Sequence, residues 1–159
     1  MSNQTIELHD SEITSIEFDA GTAIITFSHA CIHQSDGVPG VDPGTGWSQK
    51  AVLRVENASN ASIPKHAPYR IDDGVLRLGE IEHHNEIPIP LSCDGPVTLR
   101  LWVGDAEGRY SEISFVGSGV ELRLIGEAEY IEVFPGRSSL PSEKGSSRGR
   151  LPGPKTPLF

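Results

Sequence analysis

Glu12-Ile13-Thr14-Ser15-Ile16-Glu17-Phe18-Asp19-Ala20-Gly21-Thr22-Ala23-Ile24-Ile25-Thr26-Phe27 holds two runs of alternating side chains on either side of a turn. In the first run Ile16 and Phe18 share a face, with Glu17 between them. In the second, Ala23, Ile25 and Phe27 alternate with Ile24, Thr26 and Ser28. A period of two is the signature of a strand half-covered by a core. The joint Asp19-Ala20-Gly21-Thr22 has the composition of a tight hairpin turn, because glycine takes up a positive φ without steric cost. The stretch therefore reads as a β-hairpin.

The same pattern is read elsewhere. Arg70-Ile71-Asp72-Asp73-Gly74-Val75-Leu76-Arg77-Leu78 contains an Asp-Gly pair, a strong local hairpin signal. Residues 112–124 alternate about Gly117-Ser118-Gly119 and read as another hairpin. Their apolar positions match those of residues 16–27 at a constant offset, a likeness that two-residue periodicity produces on its own. Residues 50–58, 96–104 and 129–134 are strand-like as well. In residues 86–91, Pro88 and Pro90 cannot donate to a ladder and so place that segment at a sheet edge. No stretch carries a helical stripe. The expected fold is all-β, an antiparallel sandwich or flattened barrel over residues 5–134. Residues 135–159, rich in Pro, Gly, Ser and basic side chains, are expected to form a disordered tail.

Charge and composition narrow the function. Of 159 residues, 36% are apolar and 22% charged, as in soluble globular domains. Residues 1–134 hold 8 Lys/Arg against 21 Asp/Glu, and residues 135–159 hold 5 against 1. An acidic body repels nucleic acid and anionic membrane, so neither is expected as a partner; the basic tail alone could tether to them. No apolar run is long enough for a membrane helix. The opening MSNQTIELHD lacks the basic and apolar regions of a signal peptide. Two cysteines, Cys31 and Cys93, are too few for a disulfide framework and are expected to stay reduced, which suits the cytoplasm.

Three strings are similar to a group of small bacterial β-proteins: Leu8-His9-Asp10-Ser11-Glu12-Ile13, the loop SDGVPGVDPGTGW over residues 35–47, and GEAEYIEVF over residues 126–134. The resemblance covers residues 6–134. It implies an all-β bacterial cytoplasmic domain and carries over no activity and no functional residue.

Two histidine groups are candidate metal ligands. On a regular strand His29, Cys31 and His33 share one face, and all are zinc-ligand types. Same-face neighbours lie about 6.6–7 Å apart, so His29 and His33 are roughly 13 Å apart and cannot share one ion. At most two adjacent members bind, with further ligands from elsewhere. His83 and His84, beside Glu82, would point to opposite faces of a strand. The plainer reading makes all five the rim of a sheet, with no cofactor; the alternative is zinc or another divalent metal.

Residues 35–46 form a Gly/Pro-rich loop in which Asp36 and Asp42 lack the spacing of a calcium hand. Trp47 closes the loop and is a candidate partner anchor. Trp102 lies on the face opposite Leu99, Leu101 and Val103, so it is either covered by a neighbour or part of an interface. His9-Asp10-Ser11 contains triad residue types, but adjacency is not triad geometry. The function expected is a non-catalytic binding or protein-interaction module that uses Asp36, Asp42 and Trp47, with Trp102 as an outlier. Its partner would be a basic protein or a second copy. A metal- or small-molecule-binding protein, enzymatic or not, is the alternative.

Overall fold

The computed structural model describes residues 2–60 and 68–137. Among them the secondary structure is entirely β: β1 (Asn3–Asp19), β2 (Thr22–Ser35), β3 (Gly44–Glu56), β4 (Ser59–Asn60), β5 (Tyr69–Leu78), β6 (Ile81–His84), β7 (Glu86–Ile89), β8 (Ser92–Gly104) and β9 (Tyr110–Phe134). Every pairing is antiparallel. The ladder runs β5-β8-β9-β3-β2-β1, and β1 pairs back with β5 through Glu12↔Arg70 and Ile13↔Tyr69. The sheet is thereby closed into a six-stranded barrel, which removes most of its edges.

The opening hairpin is present, with Ala20 at φ 51° and Gly21 at φ 85°. Positive φ at both central residues gives the turn whose twist suits a two-residue hairpin. Ala23, Ile25 and Phe27 are fully buried, as their alternation predicts, and so are Leu99 and Leu101. Phe18 is 43% exposed. It faces the same side as its buried partner Ala23 and packs on Phe115, 6.0 Å between ring centroids, next to the turn.

The other two predicted hairpins are not formed. Residues 70–78 belong to one continuous strand, and so do residues 112–124 within the 25-residue β9. Neither Gly74 nor Gly117 has a left-handed φ; both are small because the barrel presses on them. A Cβ on Gly74 would stand 2.7 Å from Leu8 Cδ1 and 2.9 Å from Leu101 Cδ2. One on Gly117 would stand 2.5 Å from both Glu56 O and Val55 Cγ1. The apparent repeat of residues 16–27 in 113–124 therefore sets a hairpin against a single strand.

Beyond their two-pair closure β1 and β5 diverge, and β6 and β7 fill the wedge. β6 pairs with β5 and β7 pairs with β1. β7 has no other ladder partner among the described residues, which accommodates Pro88 and Pro90. The hinge is Asn85, at φ 61°. Its N–H donates to Gly74 O (2.7 Å), its O accepts from Leu8 N–H (2.9 Å), and its Oδ1 accepts from His9 N–H (2.7 Å). Asparagine is among the few non-glycine residues that adopt this backbone readily.

Residues 135–137, which composition assigns to the tail, lie against the body. Gly136 is buried beside Pro43, and Arg137 N–H donates to Val41 O (2.8 Å). The rest of the expected tail, from residue 138 on, lies outside the described residues. No helix of the described residues is long and apolar enough to cross a membrane.

Gly117→Ala tests the strand assignment. Contact with a backbone oxygen and Val55 predicts a loss of about 1–3 kcal/mol in urea unfolding, the cost of overpacking. Ser118→Ala, which removes only an exposed hydrogen bond from Asn57, should stay within about 0.5 kcal/mol.

Candidate functional site

One end of the barrel gathers polar groups from β1, β2, β9 and the loop before β3. It begins with a bulge. Between the pairs Glu7↔Cys31 and Glu12↔His29, residues 8–11 of β1 face only Ala30 of β2. Asp10 takes φ 76°. Buried Ser11 replaces the lost ladder contacts: its Oγ–H donates to Glu7 O (2.6 Å), and Oγ accepts from Cys31 N–H (2.9 Å). Extra residues in one strand re-aim the side chains next to them.

Glu7 is aimed at His33. His33 Nε2–H donates to Glu7 Oε1 at 2.8 Å, and Arg137 Nη2 donates to Oε2 at 3.2 Å. The hydrogen bond from His33 holds the Glu7 carboxyl below the usual carboxylate range against the opposing effect of burial, with Arg137 and His9 assisting. His33 is 7% exposed, its ring edge-on to Phe134 with centroids 4.9 Å apart. Its Nδ1 is buried and has no hydrogen-bond partner among the described residues. Cys31 completes the group: a ligand atom from each of Glu7, Cys31 and His33 lies within 4.8 Å of the others. Burial pushes the Cys31 thiol up to about 11, and the negative charges of Glu7, Asp10 and Glu132 add to it.

Two clefts flank the cluster, and Glu7 and His33 line both. One, of about 180 Å³, is walled by residues 38–41, His84, Asn85, Glu86 and Arg137. The other, of about 330 Å³, contains Cys31 and is rimmed by Asp10, Glu132, Ile131 and Phe134. Gly46 makes room for Glu132, whose Cγ would stand 3.3 Å from a Cβ there.

Of the predicted metal candidates, Cys31 and His33 are brought together and the others are not. Two residues of β2, Ser28 and His29, bulge between the pairs Phe27↔Ala51 and Ala30↔Gln49. His29 stays on the face of Cys31 but is turned to β3, its Nδ1 hydrogen-bonded to Ser48 Oγ (2.5 Å), the residue opposite Cys31. His84 lines the smaller cleft with Nε2 3.1 Å from Glu82 Oε1, and His83 Nδ1 stands 4.0 Å from Glu86. His9 Nδ1–H donates to Asp72 O (2.8 Å), which raises its pKa, and nearby Asp10, Glu7 and Asp72 add to the effect. Cys31 and Cys93 are both free thiols.

The loop candidates divide similarly. Asp42 closes its own loop, Oδ2 accepting from Val38 N–H at 2.7 Å. Asp36 is exposed beside Gln34 and Pro43. Trp47 donates from Nε1 to Thr45 Oγ1 (2.8 Å) and packs edge-on against Tyr130, 5.4 Å between centroids. Trp102 lies under the Arg100 guanidinium, 4.9 Å from the ring centre. Sequence reasoning missed Glu7, Glu132 and Arg137, and it named Ser11 only as one of three triad residue types. Glu7 alone left a trace, since it sits between Ile6 and Leu8 and must face away from them.

Neither a protein family, nor a characterised protein, nor a solved structure matches the chain.

Two outcomes check this geometry. Ser11→Ala leaves Cys31 N–H without its acceptor and should cost about 1–3 kcal/mol in chemical denaturation. A thiol moved from 9.0 to about 11 carries about a hundredfold less thiolate at neutral pH. Iodoacetamide should therefore modify Cys31 slowly at pH 7 and progressively faster as pH rises toward 11, as mass mapping of the modified site would show. Because the fold favours the protonated thiol, its contribution to stability is present below the ordinary thiol pKa and is lost as pH rises through that window.

Proposed function

We propose that the chain is a non-catalytic protein-interaction module that receives an extended, basic segment of a partner along the free edge of β9. The observation that carries this reading is the last part of that strand. From Arg123 to Phe134 β9 pairs only with β3 among the described residues, because the ladder with β8 ends at Ser92↔Glu121. Ile125 (41%), Tyr130 (54%), Ile131 (47%) and Val133 (68%) are all exposed on this arm. An open edge carrying exposed apolar side chains is a template for strand addition.

Charge selects the partner. The arm contains Glu127, Glu129 and Glu132 against Arg123. A second copy of the same arm would meet like charge, whereas a basic strand with alternating apolar side chains meets both its needs. Trp47, packed on Tyr130, braces the arm, so the loop exit singled out in the sequence supports the interface from behind. Two free cysteines suit a reducing compartment, and we place the module in the cytoplasm.

A short peptide alternating arginine and valine, and its glutamate-for-arginine counterpart, test the reading through fluorescence of the full chain. The basic peptide should bind with an affinity that falls as salt rises, and the acidic one should not. Ile125→Lys combined with Val133→Lys should abolish binding. Equal binding of both peptides, binding by neither, or binding that survives the double substitution would overturn the proposal, and so would a salt-stable dimer that buries the arm.

A further inference from the structure

We infer that Glu7, Cys31 and His33 form a binding site for one divalent transition cation, zinc foremost. Carboxylate, thiol and imidazole are the three side-chain ligand types that zinc accepts. Here they come from two adjacent strands, in the regular ladder where Glu7 faces Cys31 and Thr5 faces His33, and they line one cleft. A tetrahedral ion with bonds of about 2.0–2.3 Å needs donors roughly 3.3–3.8 Å apart. The three ligand atoms already lie within 4.8 Å of one another. Side-chain rotations that close the longest gap by about 1 Å, and open the 2.8 Å His33–Glu7 contact by about half as much, are sufficient.

Three further features point to a cation. The first is the orphan Nδ1 of His33, a buried polar atom of a kind that folded proteins seldom leave unmatched. The second is the field: Asp10 and Glu132 join Glu7 around Cys31, carboxylates whose charge a divalent cation would balance while taking the thiol as thiolate. The third is the grip on Glu7 from behind. Arg137 holds Oε2 at 3.2 Å, with Asn85 Nδ2 3.5 Å away, which orients Oε1 toward the cleft. Outer partners that fix a ligating carboxylate in this way are the usual support of a metal site. The cleft is open, so a fourth position falls to water, Asp10 or Glu132.

The site is tested with cobalt and zinc alone, on the full chain prepared without a polyhistidine tag and stripped with chelator. Cobalt should bind at one equivalent and produce the near-ultraviolet sulfur-to-metal charge-transfer band of a thiolate ligand; zinc should displace it. Cys31→Ser should remove the band and weaken zinc binding by roughly a hundredfold or more. His33→Gln should weaken it similarly. His83→Ala combined with His84→Ala should change neither the band nor the affinity. Among the described residues the Cys31 side chain makes no hydrogen bond that the substitution would break, so Cys31→Ser keeps the test informative if Glu7 or His33 variants fail to fold. Cobalt bound without a thiolate band, no binding at all, or binding lost in the His83/His84 variant but kept in Cys31→Ser would overturn the inference.

Discussion

The structure depends on how β1 and β5 are joined. Their direct ladder is only two residue pairs long, and a barrel closed by so little would open at that seam. Asn85 prevents this by bonding to both sides, to Gly74 on β5 and to Leu8 and His9 on β1. Because these are backbone groups at a seam, each unmade bond would leave a donor or acceptor to find another partner. The tight approach of Gly74 to Leu8 and Leu101 belongs to the same seam.

Closure also shapes the polar end. β1 leaves its ladder with β2 after Glu7 and rejoins it at Glu12, where it also meets β5, and the four intervening residues form the bulge. Ser11 bridges that gap, and Glu7 is left facing Cys31 and His33. The same end receives the loop over residues 35–47, which Asp42 holds closed, and the end of β9, where Phe134 lies edge-on to His33. Residues 8–13, the loop over residues 35–47 and residues 126–134 thus lie far apart in the chain and meet in space. A metal-ligand cluster and an exposed apolar arm adjoin there, since Ile131 and Glu132 of the arm rim the Cys31 cleft.

Much of the fold was legible because alternation along a strand is a local property. Ala23, Ile25, Phe27, Leu99 and Leu101 declare their face without reference to any partner. Gly74 and Gly117 misled for the opposite reason. An Asp-Gly or Gly-Ser-Gly string shows only that a side chain is missing, and here it is missing because Leu8 or Glu56 approaches from another strand. Of the site, Cys31 and His33 could be named from residue type and spacing. Glu7 could not, because its role follows from the β1–β2 register, and His29 is drawn to Ser48 of β3 at a bulge that no local pattern announces. Arg137 reads as tail by composition, yet it docks on Glu7 through a contact 130 residues away in the chain.

Hydrogen exchange on Asn85→Ala, compared residue by residue with the unaltered chain, tests most directly whether the seam organises the polar end. The account predicts that the amides of Leu8, His9 and Cys31 lose protection together, while Leu53 and Leu122, on the β3–β9 side of the barrel, keep theirs. Loss confined to His9, whose amide bonds the Asn85 side chain, would contradict it. So would a uniform loss across the whole barrel.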